Sequence, residues 1–298
     1  MSKNDIIKGV FLVGLGATSY GMLATFVKLA YQENFTTAEV TSAQFIYGII
    51  GILIINLAQK QQAKTPVLKA SKKNIFQLML AGTSLGMTSV FYYLCVKYIN
   101  VSIAIVLLMQ TVWMGVLLEW FLDKKAPSKQ KIIAVFVVFI GTLLATNLLY
   151  AEVKIDWKGI LFGMLAAASF TTTMFTANKI ALGISSAQRS LYMLLGGAII
   201  VAGFALFTQT TPFNFEIFMK WGIILALFGT IIPPILMNSG FPKTGLGLGS
   251  IVSSLELPVS VMMAYFILHE KVIFSQWIGV LLIIFAIIIM NINFSKKN

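Results

Sequence analysis

The chain is a succession of apolar blocks of about 20 residues, separated by short polar stretches from one end to the other. This pattern leaves few architectures open. A helix of about 20 residues matches the hydrocarbon core of a bilayer and satisfies its own backbone hydrogen bonds there. Of the residues, 58% are hydrophobic and 11% charged, against about 25% charged in a soluble domain. The roughly 10-residue alternating segments of a membrane β-barrel are not seen. The sequence therefore predicts an all-α polytopic membrane protein.

Ten transmembrane helices are predicted: Ile7–Ala30, Val40–Leu57, Ile75–Val96, Val101–Leu122, Ile132–Leu149, Gly159–Ile180, Leu191–Phe207, Trp221–Leu236, Gly245–Leu268 and Trp277–Asn293. The first is too long for a signal-peptide apolar region and is kept as a span. The seventh and eighth are both short, and the eighth carries Pro233 and Pro234.

The formal net charge of +12 resolves into topology once the basic residues are placed. Sixteen fall on one set of alternating span ends: Lys3, Lys8, Lys60, Lys64, Lys69, Lys72, Lys73, Lys124, Lys125, Lys129, Lys131, Lys179, Arg189, Lys243, Lys296 and Lys297. The other set holds six: Lys28, Lys97, Lys154, Lys158, Lys220 and Lys271. Basic residues favour the cytoplasmic side, so the N and C termini are both expected to be cytoplasmic. The charge is not a nucleic-acid footprint. Cys95 is the only cysteine and His269 the only histidine. A disulfide within the chain and a multi-histidine metal site are thereby excluded, and no cofactor is expected.

The chain also repeats itself. Lys8-Gly9-Val10 opens the first span as Lys158-Gly159-Ile160 opens the sixth. Val27-Lys28-Leu29-Ala30 is echoed by Asn178-Lys179-Ile180-Ala181. Gln110-Thr111-Val112 falls opposite Glu256-Leu257-Pro258, and Leu122-Asp123-Lys124-Lys125 opposite Leu268-His269-Glu270-Lys271. Residues 1–150 and 151–298 are expected to form two five-helix repeats. An odd number of spans per repeat inverts the second relative to the first, an arrangement frequent among secondary transporters.

Glu256 is the residue most in need of explanation. A carboxylate in the middle of a membrane span is unfavourable by roughly 3 kcal/mol or more, and it marks a functional site by default. In a continuous ninth helix Gly245, Gly249, Ser253, Glu256 and Ser260 share one small, polar face. That face either lines a site handling substrate or protons, or packs on a neighbouring helix. Pro258 would free a carbonyl near Ser254. Gln110 and Trp113 supply the matching face of the fourth span. Tyr20, Gln44, Tyr93 and Asn238 add polar groups at depth. Lys28 and Lys179, at matching ends of the first and sixth spans, either snorkel to the interface or act in coupling or gating, by attracting an anionic substrate or by pairing with Glu256 in one access state.

The five-plus-five repeat, the segment from Tyr92-Tyr93-Leu94 to Val101-Ser102-Ile103-Ala104, and Leu255-Glu256-Leu257-Pro258-Val259 followed by His269-Glu270 resemble the drug/metabolite transporter superfamily in its ten-helix EamA-type form. Leu257 stands inserted between the glutamate and the proline of the family's ninth-helix pattern. The resemblance implies a cavity lined by spans one to four and six to nine, with five and ten peripheral.

These readings point to a secondary transporter, most simply an exporter, of a small polar or amphipathic metabolite such as an amino acid or drug-like compound. It would act by alternating access, with proton coupling through Glu256. There is no Gly-x-x-x-x-Gly-Lys loop for direct ATP drive. A nucleotide-sugar or sugar-phosphate transporter is the alternative and would call for more basic groups at depth. An integral-membrane enzyme is a distant third, given one histidine and ten acidic residues. The partners expected are the small-molecule substrate and the lipid bilayer, and a homodimer is allowed. The expected location is a bacterial inner (plasma) membrane.

Overall fold

The computed structural model describes residues 2–62, 68–99, 101–147 and 156–292. Lys64, Lys154, Lys296, Lys297 and the boundary at 150/151 lie outside the described residues, as do the ends of the fifth and tenth expected spans. The regular structure among them is helical, with no strand. The helices are α1 (Lys3–Gln32), α2 (Thr37–Gln62), α3 (Lys72–Tyr98), α4 (Val101–Leu108), α5 (Thr111–Asp123), α6 (Lys129–Ala145), α7 (Trp157–Lys179) and α8 (Ser186–Thr208). They continue with α9 (Ile223–Ala226), α10 (Ile232–Thr244), α11 (Leu246–Ser253), α12 (Glu256–Phe266) and α13 (Phe274–Ile292). Eight stretches are long and apolar enough to cross a membrane, α4–α5, α9–α10 and α11–α12 each counting as one. α6 has 17 residues, and the apolar part of α13, Phe274–Met290, is also short.

Local chemistry sets the helix starts. Ser2, Ser71, Ser128 and Ser185 each accept a backbone N–H three residues on and cap α1, α3, α6 and α8. Asp156 caps α7 by accepting the Lys158 N–H, two residues on. Thr36 and Glu39 form a reciprocal capping box on α2: Glu39 N–H donates to Thr36 Oγ1 (3.2 Å) and Thr36 N–H to Glu39 Oε2 (2.7 Å). The cap at Ser185 carries the seventh expected span back to Ser186, through a polar first turn that hydropathy alone cannot recognise.

The eighth expected span is also longer than its apolar run. It covers Phe218–Thr244 and contains two π-helical turns, Phe218–Gly222 and Leu227–Ile231. The second directly precedes Pro233 and Pro234, which have no N–H to donate. Ser19 Oγ of α1 donates to the Phe228 carbonyl (3.1 Å), and Thr230 Oγ1 donates to the Gln44 carbonyl of α2 (2.9 Å). Ser19 thus supplies a donor to a carbonyl beside the prolines, as a membrane interior requires, and Thr230 adds a cross-helix bond to α2.

The fourth and ninth expected spans are not continuous helices. The fourth is broken at Met109–Gln110, between α4 and α5; the ninth at Ser254–Leu255, between α11 and α12. Both breaks tighten to i→i−3 hydrogen bonds. Gln110 N–H bonds Leu107 O and Val112 N–H bonds Met109 O. Leu255 N–H bonds Val252 O and Leu257 N–H bonds Ser254 O. The Ser254 carbonyl is therefore taken rather than left free by Pro258. The helix starts place Thr111, not Gln110, opposite Glu256. Gly245–Ser253 and Glu256–Ser260 belong to different segments, so the single polar face expected for a continuous helix is interrupted.

The strongest packing joins the two halves of the chain. α3 lies on α7 and α8, α1 on α10 and α12, α2 on α8 and α9, and α6 on α13. The α3–α8 crossing is a backbone-to-backbone approach. A Cβ on Gly82 would fall on the Met193 main chain, and one on Gly196 on the Met79 main chain. Outside lie exposed apolar side chains such as Phe11, Phe76, Phe136 and Leu281, the surface that hydrocarbon tails would cover.

Candidate functional site

Glu256 opens α12, just past the break, where α12 crosses α1. The crossing is tight: a Cβ on Gly21 would stand 2.5 Å from the Glu256 carbonyl oxygen. The break turns the chain so that the carboxyl enters the interior at the N-terminal end of a helix. Among the described residues the carboxyl has no hydrogen-bond or ion-pair partner. Tyr20 of α1 and Tyr92 of α3 lie within its electrostatic reach.

Tyr20 also meets Phe170 of α7 edge-on, with ring centroids 6.1 Å apart. Beside them is a small cavity of about 20 Å³, room for roughly one water molecule. Asn238 of α10 and Thr173 of α7 contribute its polar lining. Asn238 is 3% exposed. Its Nδ2 donates to Ser190 Oγ at 2.8 Å, while its Oδ1 is buried without a protein partner among the described residues. Of the expected site residues, Tyr20 and Asn238 line this cavity together, and Tyr20 is also within electrostatic reach of Glu256, which is not among the cavity's lining residues.

The others lie elsewhere. Gln110 and Trp113 bond to each other, indole Nε1 donating to Oε1 at 2.8 Å, and Gln110 Nε2 donates to the Val106 carbonyl at 2.8 Å. They border a crevice of about 290 Å³ against Phe136 and Phe139 of α6, both exposed. They prop the break of the fourth span and border that crevice rather than the cavity beside Tyr20. Ser253 Oγ is spent on the Gly249 carbonyl of its own helix (2.9 Å). Ser250 is the serine that crosses to the fourth span, bonding Val112 O at 3.1 Å. Gln44 is buried against Gly229. Tyr93 packs edge-on against Tyr31 and Tyr92. Pro258 sits in the first turn of α12. Lys28 is ion-paired with Glu270 rather than with Glu256, and Lys179 with Asp123 at 3.4 Å.

Arg189 does not mark topology. It is 2% exposed. Its guanidinium donates to the carbonyls of Thr176, Ala177 and Ile180 at the end of α7 and to Asn238 of α10. It is the sole arginine in a chain otherwise basic through lysine. That singularity was the available signal, since only a planar fork of five donors serves several carbonyls at once.

The fold defines a class: a multi-pass helical membrane protein whose two halves meet around an unpaired acid. The chain belongs to the EamA-like transporter family, whose model matches residues 7–147 and again 157–292. It is 28% identical over 233 residues to the uncharacterized transporter YetK of Bacillus subtilis (strain 168), across 75% of this chain and 70% of that one. It is 28% identical over 134 residues to GDP-fucose transporter 1 of Dictyostelium discoideum, across 43% of this chain and 35% of that protein. A solved crystal structure shares the fold with a TM-score of 0.77 at 13% identity, over 96% of this chain and 97% of the other.

Proposed function

We propose that this protein is a secondary transporter, not an enzyme, exporting a small polar or amphipathic metabolite across a bacterial inner membrane by alternating access. α6 and α13 complete ten spans in this reading, with both ends of the chain cytoplasmic. Residues 1–150 and 151–298 act as inverted repeats. Two features support the repeat, and five spans in each half would make it an inverted one. The family model matches twice. The packing is nearly unchanged when the halves are exchanged: α3 on α7 becomes α10 on α1, and α3 on α8 becomes α9 on α2. Two such halves can rock about their mutual crossings and present one site to either face in turn.

The observation that carries the reading is the position of Glu256, unpaired where the first helix of one half crosses the ninth span of the other. Glu256 is the proton-coupling residue. Glu256, Tyr20 and Asn238 contact substrate, and Pro258 holds the break that turns Glu256 inward. Gln44, Tyr93, Ser253, Gln110 and Trp113 shape the helices around them.

The relative named as a GDP-fucose transporter favours a second reading, a nucleotide sugar. The chemistry of the interior weighs against it. Lys28 and Lys179 have acidic partners, and the Arg189 donors are spent on carbonyls. These groups are not free to neutralise a diphosphate.

Proteoliposomes test both. An amino acid or amphipathic drug identified by its thermal shift should be driven by a pH gradient in the native protein and not in Glu256→Gln. Equal gradient-driven transport by both proteins would eliminate proton coupling. Exchange of GDP-sugars across the vesicle wall would replace the metabolite reading with the second one.

A further inference from the structure

We propose that the ion pairs Lys28–Glu270 and Lys179–Asp123 are matched latches, one closing each face of the protein. The proposal rests on the alternating-access reading above and assigns its two gates.

The two pairs are the same contact made twice. Lys28 lies near the end of α1 in the first half, and Glu270 just past α12 in the second. Lys179 ends α7 in the second half, and Asp123 ends α5 in the first. Exchanging the halves turns one pair into the other. The acids occupy corresponding turns. Each turn has a residue in the left-handed region, Lys124 (φ 51°) in one and His269 (φ 53°) in the other. Asp123 directly precedes the first, and Glu270 directly follows the second. The exposures match as well, at 52% and 42% for one pair and 49% and 47% for the other.

Each latch stands at the same remove from a helix crossing. α1 crosses α12 at Gly21 and Glu256, and Lys28 is about two helical turns further along α1. The equivalent crossing of α7 on α5 is closed by Thr171 and Thr111, whose hydroxyls are 2.8 Å apart. Lys179 is again about two turns further on. A rigid half rocking on these crossings separates one pair while the other stays closed. Among the described ion pairs, Lys220–Glu33 also joins the halves, at 3.4 Å, and it reinforces the Lys28 face. Lys131–Glu119 and Lys220–Glu216 each stay within one half.

Half-exposed pairs contribute little to folding, so single substitutions should leave the protein intact while shifting its preferred state. The test uses Thr173→Cys, which lines the central cavity, in a Cys95→Ser background reconstituted in vesicles. A membrane-impermeant maleimide is applied from one face at a time. Lys179→Gln should speed labelling from the face where α5 ends by about two- to fivefold, the population shift an exposed ion pair can supply. Lys28→Gln should do so from the opposite face only. The charge exchange Lys179→Asp with Asp123→Lys should restore the starting rate. Faster labelling from the same face in both single variants, no change in either, or no restoration by the exchange would overturn the latch assignment. Labelling from a single face in the starting protein and in both variants would overturn alternating access, and the latches with it.

Discussion

Arg189 Nη1 donates to the Asn238 carbonyl at 2.6 Å. In a regular helix the donor to that carbonyl would be the N–H of residue 242, which here is Pro242, a proline within α10. One side chain thus repairs the helix of another span. With its remaining bonds it fastens the end of α7.

Arg189→Lys should therefore destabilise the protein by about 2–4 kcal/mol, since one ammonium cannot serve carbonyls spread over two helices and leaves buried acceptors unmet. Pro242→Ala restores a backbone donor for Asn238 and should recover part of the loss. A double-mutant cycle on apparent melting temperature in detergent measures the coupling. Strict additivity would contradict the repair.

Glycine substitutions should divide by place. A Cβ at Gly82 meets the Met193 backbone, whereas one at Gly203 finds nothing within 4 Å. Gly82→Ala should prevent α3 and α8 from closing and cut the yield of folded protein. Gly203→Ala, in the middle of α8, should raise stability by about 0.5–1 kcal/mol. Size-exclusion profiles and melting temperatures report both.

The two broken spans are broken by different chemistry. In the fourth, the Gln110 side chain takes the Val106 carbonyl that the backbone has given up. In the ninth, Pro258 removes the donor and Leu257 N–H takes the Ser254 carbonyl. Gln110→Leu should cost about 1–2 kcal/mol by leaving Val106 O and the Trp113 indole unmet. Gln110→Glu keeps the acceptor for Trp113 and should fall between the two. Thermal unfolding checks the order.

Pro258→Ala should act in the opposite sense on stability. It returns an N–H to residue 258 that can take the Ser254 carbonyl, and so lets α11 and α12 run on as one helix. The melting temperature should rise while vesicle transport falls, because Glu256 is turned away from Tyr20. Undiminished transport would show that the break is not needed to aim the carboxyl.

The membrane-spanning helical class was legible in the sequence because it follows from local quantities. Apolar length per block and the inability of lipid to satisfy a backbone leave little else for such a chain to be. Glu256 stood out for the same reason: its cost depends on depth, which hydropathy reveals. Tertiary structure decided what each polar group is bonded to. Gln110 and Glu256 looked equivalent in the sequence, yet one is spent on a neighbouring carbonyl and the other is left unpaired. Lys28 and Glu270 are 242 positions apart along the chain, and nothing local predicts their meeting. Arg189 reads as one more basic residue at a helix end until α7 and α10 are packed around it. Hydrogen-bond partners are fixed by which surfaces meet across the bundle, and only the folded arrangement of the two halves determines that.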